Sequence, residues 1–539
     1  MSYFDKLTDE ILEFFWKSYP IGATFMGIHK YDHDLNRMDR DSLIDINKKT
    51  KEYLTKLSRI AREELSDDEY IDWRFLQADL ESDIKTFEEI RYWERNPTDY
   101  ARICLNGIHI LFLRDFAPIR ERTEAILARM EKVPQFLKSI RSNLKNSPEI
   151  FTKLAIETVE RGQLFFKKIT TQLCEMVPEL ESRLESTATK ANEAFEEYNK
   201  FLKTQHLPMS KGEFAIGKDL FNFKLNKDHM LPYDADEILE IGYEAKKSTE
   251  NELEAIAKTI DRGKPWWEIA DEIKDHHPQP AELLATYRKN VEVTKRFVQE
   301  KDIVTVPHEE ELIVIPTPHF SRPTLPKAAY MPPAPFEEQQ TGFFYVTPVD
   351  ESLPKEKQKE MLRGHPICGI PIIALHEGYP GHHLQLVRAN RVESRLRRLL
   401  RSTVFIEGWA LYCEEMMYDE GFYSDPRTQL LKLKDQLMRA CRVIIDVGLH
   451  TRNMDYTQAV DILINDAKVE RINAEKEVTR YTFTPTQPLS YLIGKKQVLE
   501  LRKDYQQKVG KNFVLKEFHD KLLSFGSIPI VLIREALGL

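Results

Sequence analysis

Three histidines and a glutamate lie within eight consecutive residues, in the stretch HEGYPGHH. His376 and Glu377 begin it as they begin the zinc-binding motif H-E-x-x-H, in which both histidines lie on one helix face and bind one ion. Here Pro380 stands where the second histidine belongs, and His382 and His383 follow. Because the chain has only 15 histidines in 539 residues, this concentration predicts a metal site. The alternative is a loop that resembles one by chance.

The spacing of the histidines leaves the second ligand open. On an unbroken helix, His382 and His383 would lie about 9 and 10.5 Å beyond His376, too far for two bonds of about 2 Å to one ion. Pro380 and Gly381 predict a kink or bulge that shortens this path. His383 has the better angular phase relative to His376, whereas His382 has the shorter distance. Both therefore remain candidate metal ligands.

Two glutamates complete the predicted chemistry. Glu377, next to a ligand histidine, is expected to act as the general base toward a water whose pKa a zinc ion has lowered. Glu407 lies in the apolar run VFIEGWALY, where burying a carboxylate without a partner is unfavourable. We expect it to be the third ligand of one Zn²⁺ ion; the alternative is a salt bridge to an arginine of RVESRLRRLLRS. Glu414 and Glu415 are expected on a solvated face or in support of the ligands.

The elements that position these residues are predicted to be mostly helices. From residue 1 to about 205, apolar residues recur at three- and four-residue intervals, which predicts a helical N-terminal lobe. Residues 206–539 are predicted to form a catalytic helical lobe. Within it, the interval of about 303–350 is rich in valine, isoleucine, tyrosine and proline and predicts short strands. The fold class is thus mainly α with one small sheet, which either holds an extended peptide at an edge strand or merely covers the core.

Composition narrows the class of protein and its partners. The chain is 42% hydrophobic and 31% charged, as is typical of a soluble globular protein. A net charge of −9 argues against nucleic acid and against an anionic membrane surface as the main partner. No apolar run approaches the roughly 18 residues needed to cross a bilayer. Five scattered cysteines exclude a disulfide framework, and the N-terminal segment is unlike a signal peptide, which together predict a cytoplasmic location.

The chain resembles two groups of known proteins. The segments HEGYPGHHLQ, EGWALY, YPIGATFMGIHKYD, VIIDVGLH and RYTFTPTQPLSYLIGK are similar to a prokaryotic family known only as domain of unknown function 885 (DUF885). The 24 residues from His383 to Glu407, or 25 from His382, also resemble the spacing in gluzincin zinc peptidases. These include angiotensin-converting enzyme, thimet oligopeptidase and thermostable carboxypeptidase. The resemblances imply a two-lobed, helical, metallopeptidase-like fold with a deep cleft.

The resemblance also implies a role for each residue of the cluster. His376, one of His382 and His383, and Glu407 would hold the zinc ion, and Glu377 would be the base. The inserted GYPG separates this sequence from true gluzincins and bears on the second ligand and on the reaction.

Two downstream motifs fit the same site. In PLSYLIG, Tyr491 would donate a hydrogen bond to the developing oxyanion, as a tyrosine does in the peptidases it resembles; the alternative is a buried, satisfied aromatic. In DVGLHTR, Asp446 and His450 share one helix face. Asp446 would orient a ligand histidine and His450 would contact the substrate or its oxyanion, unless the two form a local pair at the helix end. Arg480 and Tyr481 are candidates for anchoring a substrate carboxylate or phosphate, although a surface arginine is the simpler interpretation.

The functional hypothesis is a zinc-dependent hydrolase of the metallopeptidase type, acting on short peptides or peptide-like amides in an enclosed cleft. One alternative is a metal-dependent lyase or non-peptide hydrolase acting on a small carbonyl or amide metabolite. Another is a catalytically inactive helical scaffold that binds a partner. Glu377 counts against the scaffold, because a site that only binds has no need of a base.

Overall fold

Helices dominate the structure of the protein. This computed structural model describes residues 2–318, 321–322, 325 and 327–539. Within these ranges, three short strands form one small sheet and the regular structure elsewhere is helical. The prediction of a mainly α fold with a small sheet is therefore confirmed. No helix among the described residues is both long and apolar enough to cross a membrane, and all five cysteines are free thiols.

The chain divides into two compact units. The first consists of Met1–Phe214, Pro318–Pro323 and Ala334–Gln339, and the second of Ala215–Thr317, Thr324–Pro333 and Gln340–Leu539. The α-helices of the first unit are α1 (Tyr3–Ser18), α2 (Pro20–Met26), α3 (Arg40–Leu57), α4 (Asp67–Lys85), α5 (Tyr92–Arg95), α6 (Pro97–Leu113), α7 (Ile119–Ser139), α8 (Glu149–Met176) and α9 (Glu181–Phe201).

The second unit contains the remaining helices and all three strands. Its α-helices are α10 (Lys218–Lys227), α11 (Ala235–Ile260), α12 (Trp266–Ile273), α13 (Leu283–Glu300), α14 (Lys355–Arg363), α15 (Ile370–Glu377), α16 (His382–Ala389), α17 (Arg395–Leu399), α18 (Thr403–Asp419), α19 (Pro426–Thr451), α20 (Tyr456–Asn465), α21 (Arg471–Tyr481), α22 (Ser490–Val509), α23 (Leu515–Leu523) and α24 (Ile530–Ala536).

Amphipathic helices build the first unit. α1 begins at a capping box formed by Ser2 and Asp5, whose side chains each accept a hydrogen bond from the other's backbone amide. Helices α6 to α9 pack against one another and bury the apolar faces that their periodicity predicts, with Ile108, Leu127 and Phe195 fully inaccessible to solvent.

The small sheet lies in the second unit. Its strands are β1 (Glu310–Pro316), β2 (Ala328–Met331) and β3 (Gln340–Val346), in the spatial order β1-β3-β2. β3 runs parallel to β1 and antiparallel to β2. The central strand is the most buried, with Phe344 and Val346 fully covered. The proline of β1 is its last residue and lies on an edge strand, where a missing amide donor is tolerated.

Two glycines allow α18 and α22 to cross at close range. A Cβ atom on Gly408 would lie 2.3 Å from the carbonyl carbon of Gly494. A Cβ atom on Gly494 would lie 2.0 Å from the carbonyl oxygen of Val404. Real Cβ atoms do not approach backbone so closely, so the crossing requires glycine on both helices. The crossing matters because Glu407 precedes one of these glycines and Tyr491 lies one turn before the other.

We therefore predict that Gly494→Ala destabilises the protein by about 2 kcal/mol or more, because the two backbones must separate. The matched control is Gly22→Ala in α2, where the nearest atom to the new Cβ lies 3.9 Å away. Alanine should be neutral or slightly stabilising there. Chemical denaturation followed by helical circular dichroism measures both variants, and equal stability of the two would contradict the close crossing.

Candidate metal centre

The HEGYPGHH stretch forms two helices rather than one. α15 ends at Glu377 and α16 begins at His382, and the peptide bond between Tyr379 and Pro380 in the turn is cis. Proline cannot donate a backbone hydrogen bond, so the helical hydrogen-bond pattern of α15 cannot continue through Pro380. The chain therefore leaves the helix and enters a new one before the paired histidines.

The turn folds back onto the end of α15. The Gly381 amide donates a hydrogen bond to the Leu375 carbonyl, with an N···O distance of 3.0 Å. A Cβ atom on Gly381 would lie 2.0 Å from the carbonyl oxygen of His376, so the contact excludes every other residue. The buried indole of Trp409 donates to the Pro380 carbonyl at 2.8 Å. These contacts fix the start of α16 beside the end of α15.

The fold brings His376, His382 and Glu407 together within the second unit. One potential ligand atom from each lies within 4.8 Å of the other two. Glu407 Oε2 is 3.3 Å from His382 Nε2 and 4.0 Å from His376 Nε2. The two imidazole rings are nearly perpendicular, with centroids 4.7 Å apart. In a tetrahedral zinc site with bonds of about 2.0–2.1 Å, ligand atoms lie about 3.3 Å apart, so small side-chain movements would complete three coordination bonds.

The donor chemistry of the cluster fits a cation. Glu407 Oε2 is buried and receives no hydrogen bond from any described residue. Burial alone would raise the pKa of Glu407, but its contact with His382 and the charge of His376 outweigh burial and hold the pKa at about 2. A buried, ionised carboxylate oxygen without a hydrogen-bond donor is stabilised by a metal ion. Two imidazoles with one carboxylate are a common ligand set for catalytic zinc.

A carboxylate behind His376 fixes the orientation of its ring. His376 Nδ1 lies 2.8 Å from Glu414 Oε1, and Arg439 donates to the same oxygen at 3.0 Å. Glu414 is completely buried. The pair directs His376 Nε2 toward the cluster, an arrangement that metal-binding histidines usually show. Of the two roles considered for Glu414, the structure places it in support of a candidate ligand, while Glu415 pairs with Lys495.

His383 lies outside the cluster. Its Nε2 contacts the carboxylate of Glu310 in β1, and its Nδ1 lies 2.9 Å from the hydroxyl of Tyr330 in β2. The same carboxylate contacts the Tyr379 hydroxyl and the Lys295 ammonium. Both ring nitrogens of His383 therefore have partners, and the side chain connects α16 to the sheet through these contacts. The angular phase that favoured His383 applies to an unbroken helix, which the turn at Pro380 abolishes.

The absence of a side chain at Gly342 in β3 leaves room for the contact between His383 and Tyr330. A Cβ atom on Gly342 would lie 2.6 Å from the Tyr330 hydroxyl and 2.7 Å from His383 Nδ1. Any other residue would therefore separate the tyrosine from the histidine. The sheet positions the start of α16 through this contact, and with it the neighbouring His382.

Glu377 lies next to the cluster without a partner. Its side chain is partly exposed and makes no hydrogen bond or ion pair with the residues that the structure describes. Its charge acts on His382: burial lowers the pKa of that imidazole, but Glu407 and then Glu377 raise it above its usual value. A carboxylate near the ligands and free of other contacts has the properties of a general base.

Tyr491 also lies beside the cluster. Its ring is nearly parallel to that of His376, with centroids 6.5 Å apart. Burial, together with the charge of Glu407, raises the pKa of Tyr491. The phenol therefore keeps its proton and can donate it in a hydrogen bond. The glycine crossing of α18 and α22 sets the distance between this tyrosine and Glu407.

The structure does not bring His450 or Asp446 to the cluster. His450 is 1% exposed, and its Nε2 donates to the carbonyl of Tyr481 at 3.0 Å. Asp446 accepts the backbone amide of Thr486 at 3.0 Å and so orders the loop before α22. The shared helix face was predictable from the spacing, but the element that packs on that face was not. Glu414, rather than Asp446, orients a candidate ligand histidine.

Several residues that shape the site escaped the sequence reasoning. Arg439 is one, and its signal is that Arg439 and Arg442 are the two basic residues of the run LMRACRVII in α19. Glu310 and Tyr330 are others, and they lie in strands more than 50 residues before the histidine with which they pair. Such pairings depend on tertiary structure and leave no local pattern.

Fold and site together define a mainly helical protein with a candidate metal centre. The chain belongs to the family described as "Bacterial protein of unknown function (DUF885)", whose profile matches residues 20–537. No match was found among curated proteins.

Two solved structures have a similar fold. One is described as a "putative lipoprotein of unknown function from Shewanella oneidensis", with 25% identity, a TM-score of 0.81 and coverage of 100% of both chains. The other is described as a "putative lipoprotein from Colwellia psychrerythraea", with 17% identity, a TM-score of 0.85 and coverage of 100% of this chain and 99% of that chain.

The positions of the paired histidines lead to a direct prediction. We expect His382→Asn to weaken zinc binding by more than about 100-fold, because a ligand is lost, and His383→Asn to weaken it by no more than about 10- to 100-fold, because it only positions the neighbouring ligand. Zinc titration with a competing chelator measures both affinities, and thermal melts verify that each variant is folded. The reverse order of the two effects would contradict the placement of the ligands.

Proposed function

We propose that this protein is a zinc-dependent hydrolase of the metallopeptidase type that acts on short peptides or peptide-like amides. The observation that carries the proposal is the convergence of two buried imidazoles and one largely buried carboxylate, with the unpaired Glu377 beside them. His376, His382 and Glu407 would hold one zinc ion.

Glu377 and Tyr491 have separate roles in the proposed reaction. A zinc ion held here would polarise the substrate carbonyl and lower the pKa of a water molecule. Glu377 accepts a proton from the attacking water as the new C–O bond forms. Tyr491 donates a hydrogen bond to the oxygen on which negative charge develops. Glu377 then returns the proton to the amine that leaves as the C–N bond breaks.

The spacing of the ligands supports a peptidase-type reaction over other zinc chemistry. The 25 residues between His382 and Glu407 resemble the separation in gluzincin peptidases. Glu377 occupies the position that the base occupies in H-E-x-x-H sites, next to the first ligand histidine. The GYPG insertion differs from those sites, and the fold-back turn compensates for it by returning His382 to His376.

The test of this proposal is the metal content and peptide hydrolysis of purified protein and of Glu377→Gln. We expect about one zinc ion per chain in both proteins, because the substitution keeps the ligands. Hydrolysis of a mixed peptide library should fall at least about 100-fold in Glu377→Gln, since the base is lost. The matched control is Glu360→Gln, at an exposed glutamate of α14, which should keep full activity.

Two results would contradict the proposal. Purified protein that binds no stoichiometric zinc, even after incubation with the ion, would remove the basis of the chemistry. Hydrolysis that is equal in the wild type and Glu377→Gln would show that another group acts as base.

The cellular compartment is a separate proposal. We propose a cytoplasmic location, which the five free and scattered thiols favour because such thiols persist in reducing compartments. The two similar solved structures are each described as a "putative lipoprotein", which makes a membrane-attached location the alternative to test. Fractionation of cells that express the native gene should recover the chain in the soluble fraction. Recovery in washed membranes would contradict the proposal.

A further inference from the structure

Three arginines, Arg439, Arg442 and Arg480, form a layer beside the candidate metal centre. The guanidinium carbons of Arg439 and Arg442 lie 5.7 and 4.8 Å from the centre of the Tyr491 ring. That ring in turn lies 6.5 Å from the ring of His376. Arg480, on α21, shares a carboxylate partner with Arg442. The arginines are therefore close enough to the cluster to contact a substrate bound there.

This layer carries an excess of positive charge. Arg439 pairs with Glu414, while Arg442 and Arg480 both pair with Glu477, at 3.2 and 2.9 Å. Three guanidinium groups thus face two carboxylates. Burial would raise the pKa of Glu477, but the charges of the two arginines outweigh burial and hold the pKa at about 2. The nearby carboxylate of Glu407, whose charge also acts on Tyr491, is a candidate metal ligand, so an ion held there would leave the excess for an anionic group to neutralise.

Arg439 and Arg442 each keep an Nη1 that makes no hydrogen bond with a described residue, and Arg442 is the closer of the two to the Tyr491 ring. Both terminal nitrogens of Arg480 are engaged, one with Gln487 and one with Glu477. Arg442 donates from Nε to the Tyr481 hydroxyl and from Nη2 to Glu477. Its Nη1 makes no hydrogen bond with any described residue, and the side chain is 11% exposed. Arg442 Nη1 therefore keeps two unused N–H donors on a side chain that is partly open to solvent.

We propose that Arg442 binds a carboxylate of the substrate, so that the protein acts on short peptides with a free C-terminal carboxylate. The inference rests on the proposed hydrolase function and names its substrate class. Arginine suits the role because its planar fork matches a carboxylate and its charge is permanent.

The distances limit where the substrate would be cut. The two ring distances limit the separation of the Arg442 guanidinium carbon from the His376 ring to about 11 Å. An extended residue spans about 3.3–3.6 Å. A carboxylate at Arg442 therefore leaves the carbonyl one or two residues upstream beside the cluster, and the released product is a single amino acid or a dipeptide.

The experiment separates binding from catalysis. Zinc-loaded Glu377→Gln protein is titrated by calorimetry with benzoyl-glycyl-glycine and with its C-terminal amide. We expect the free acid to bind at least about tenfold more tightly, because a charged hydrogen bond is lost in the amide. In the same background, Arg442→Gln should abolish this preference. Arg427→Gln, at an exposed arginine of the same helix, should retain it.

The outcomes distinguish the proposed carboxylate site from the proposed hydrolase function. Equal binding of acid and amide, no binding of either probe, or a preference that survives Arg442→Gln would overturn the proposal. Because the acid–amide comparison is made with Arg442 intact, poor folding of Arg442→Gln leaves the test valid. A preference for the acid in a protein that hydrolyses no peptide would support the carboxylate site and contradict the proposed hydrolase function.

Discussion

The candidate centre depends on the close contact between Gly381 and the last carbonyls of α15. That contact turns the chain back on itself, so that His382 starts a new helix beside His376. On a continuous helix, by contrast, the two imidazoles would lie at a spacing that no single ion can bridge. The indole of Trp409 holds the turn from α18, the helix that also carries Glu407. One local backbone constraint therefore sets the relation among all three candidate ligands.

Buried charge is organised around this turn in consecutive layers. Glu407 faces the imidazoles, Glu414 lies behind His376, and Arg439 lies behind Glu414. Each buried carboxylate is compensated by a neighbouring positive or hydrogen-bonding group, as the cost of burying an isolated charge requires. The Oε2 atoms of Glu407 and Glu414 receive no hydrogen bond from the described residues. Glu407 belongs to the cluster of potential ligand atoms, and we propose that a cation binds its Oε2 there.

Sequence patterns predict the features of this structure that have local signals and miss those that depend on contacts between distant segments. The helical periodicity and the interval that contains the sheet follow from local spacing, and Pro380 with Gly381 indicates the break in the helix. The candidate role of Glu407 follows from a carboxylate in an apolar run, since burial demands a partner. The choice of His382 over His383 does not follow, because it depends on Glu310 and Tyr330, which reach the site from distant strands. The position of His450 does not follow for the same reason: its helix face is predictable from the spacing, but the Tyr481 backbone that packs against that face is not.

We propose above all that His376, His382 and Glu407 bind a single zinc ion. X-ray absorption spectroscopy of the zinc-loaded protein tests this most directly, because the scattering pattern counts imidazole ligands and measures bond lengths. We predict two imidazole nitrogens at about 2.0–2.1 Å, with light oxygen donors and no sulfur. In His382→Asn the imidazole count should fall to one or the zinc should be lost. Three imidazoles, a sulfur ligand, or a spectrum unchanged in His382→Asn would contradict the account.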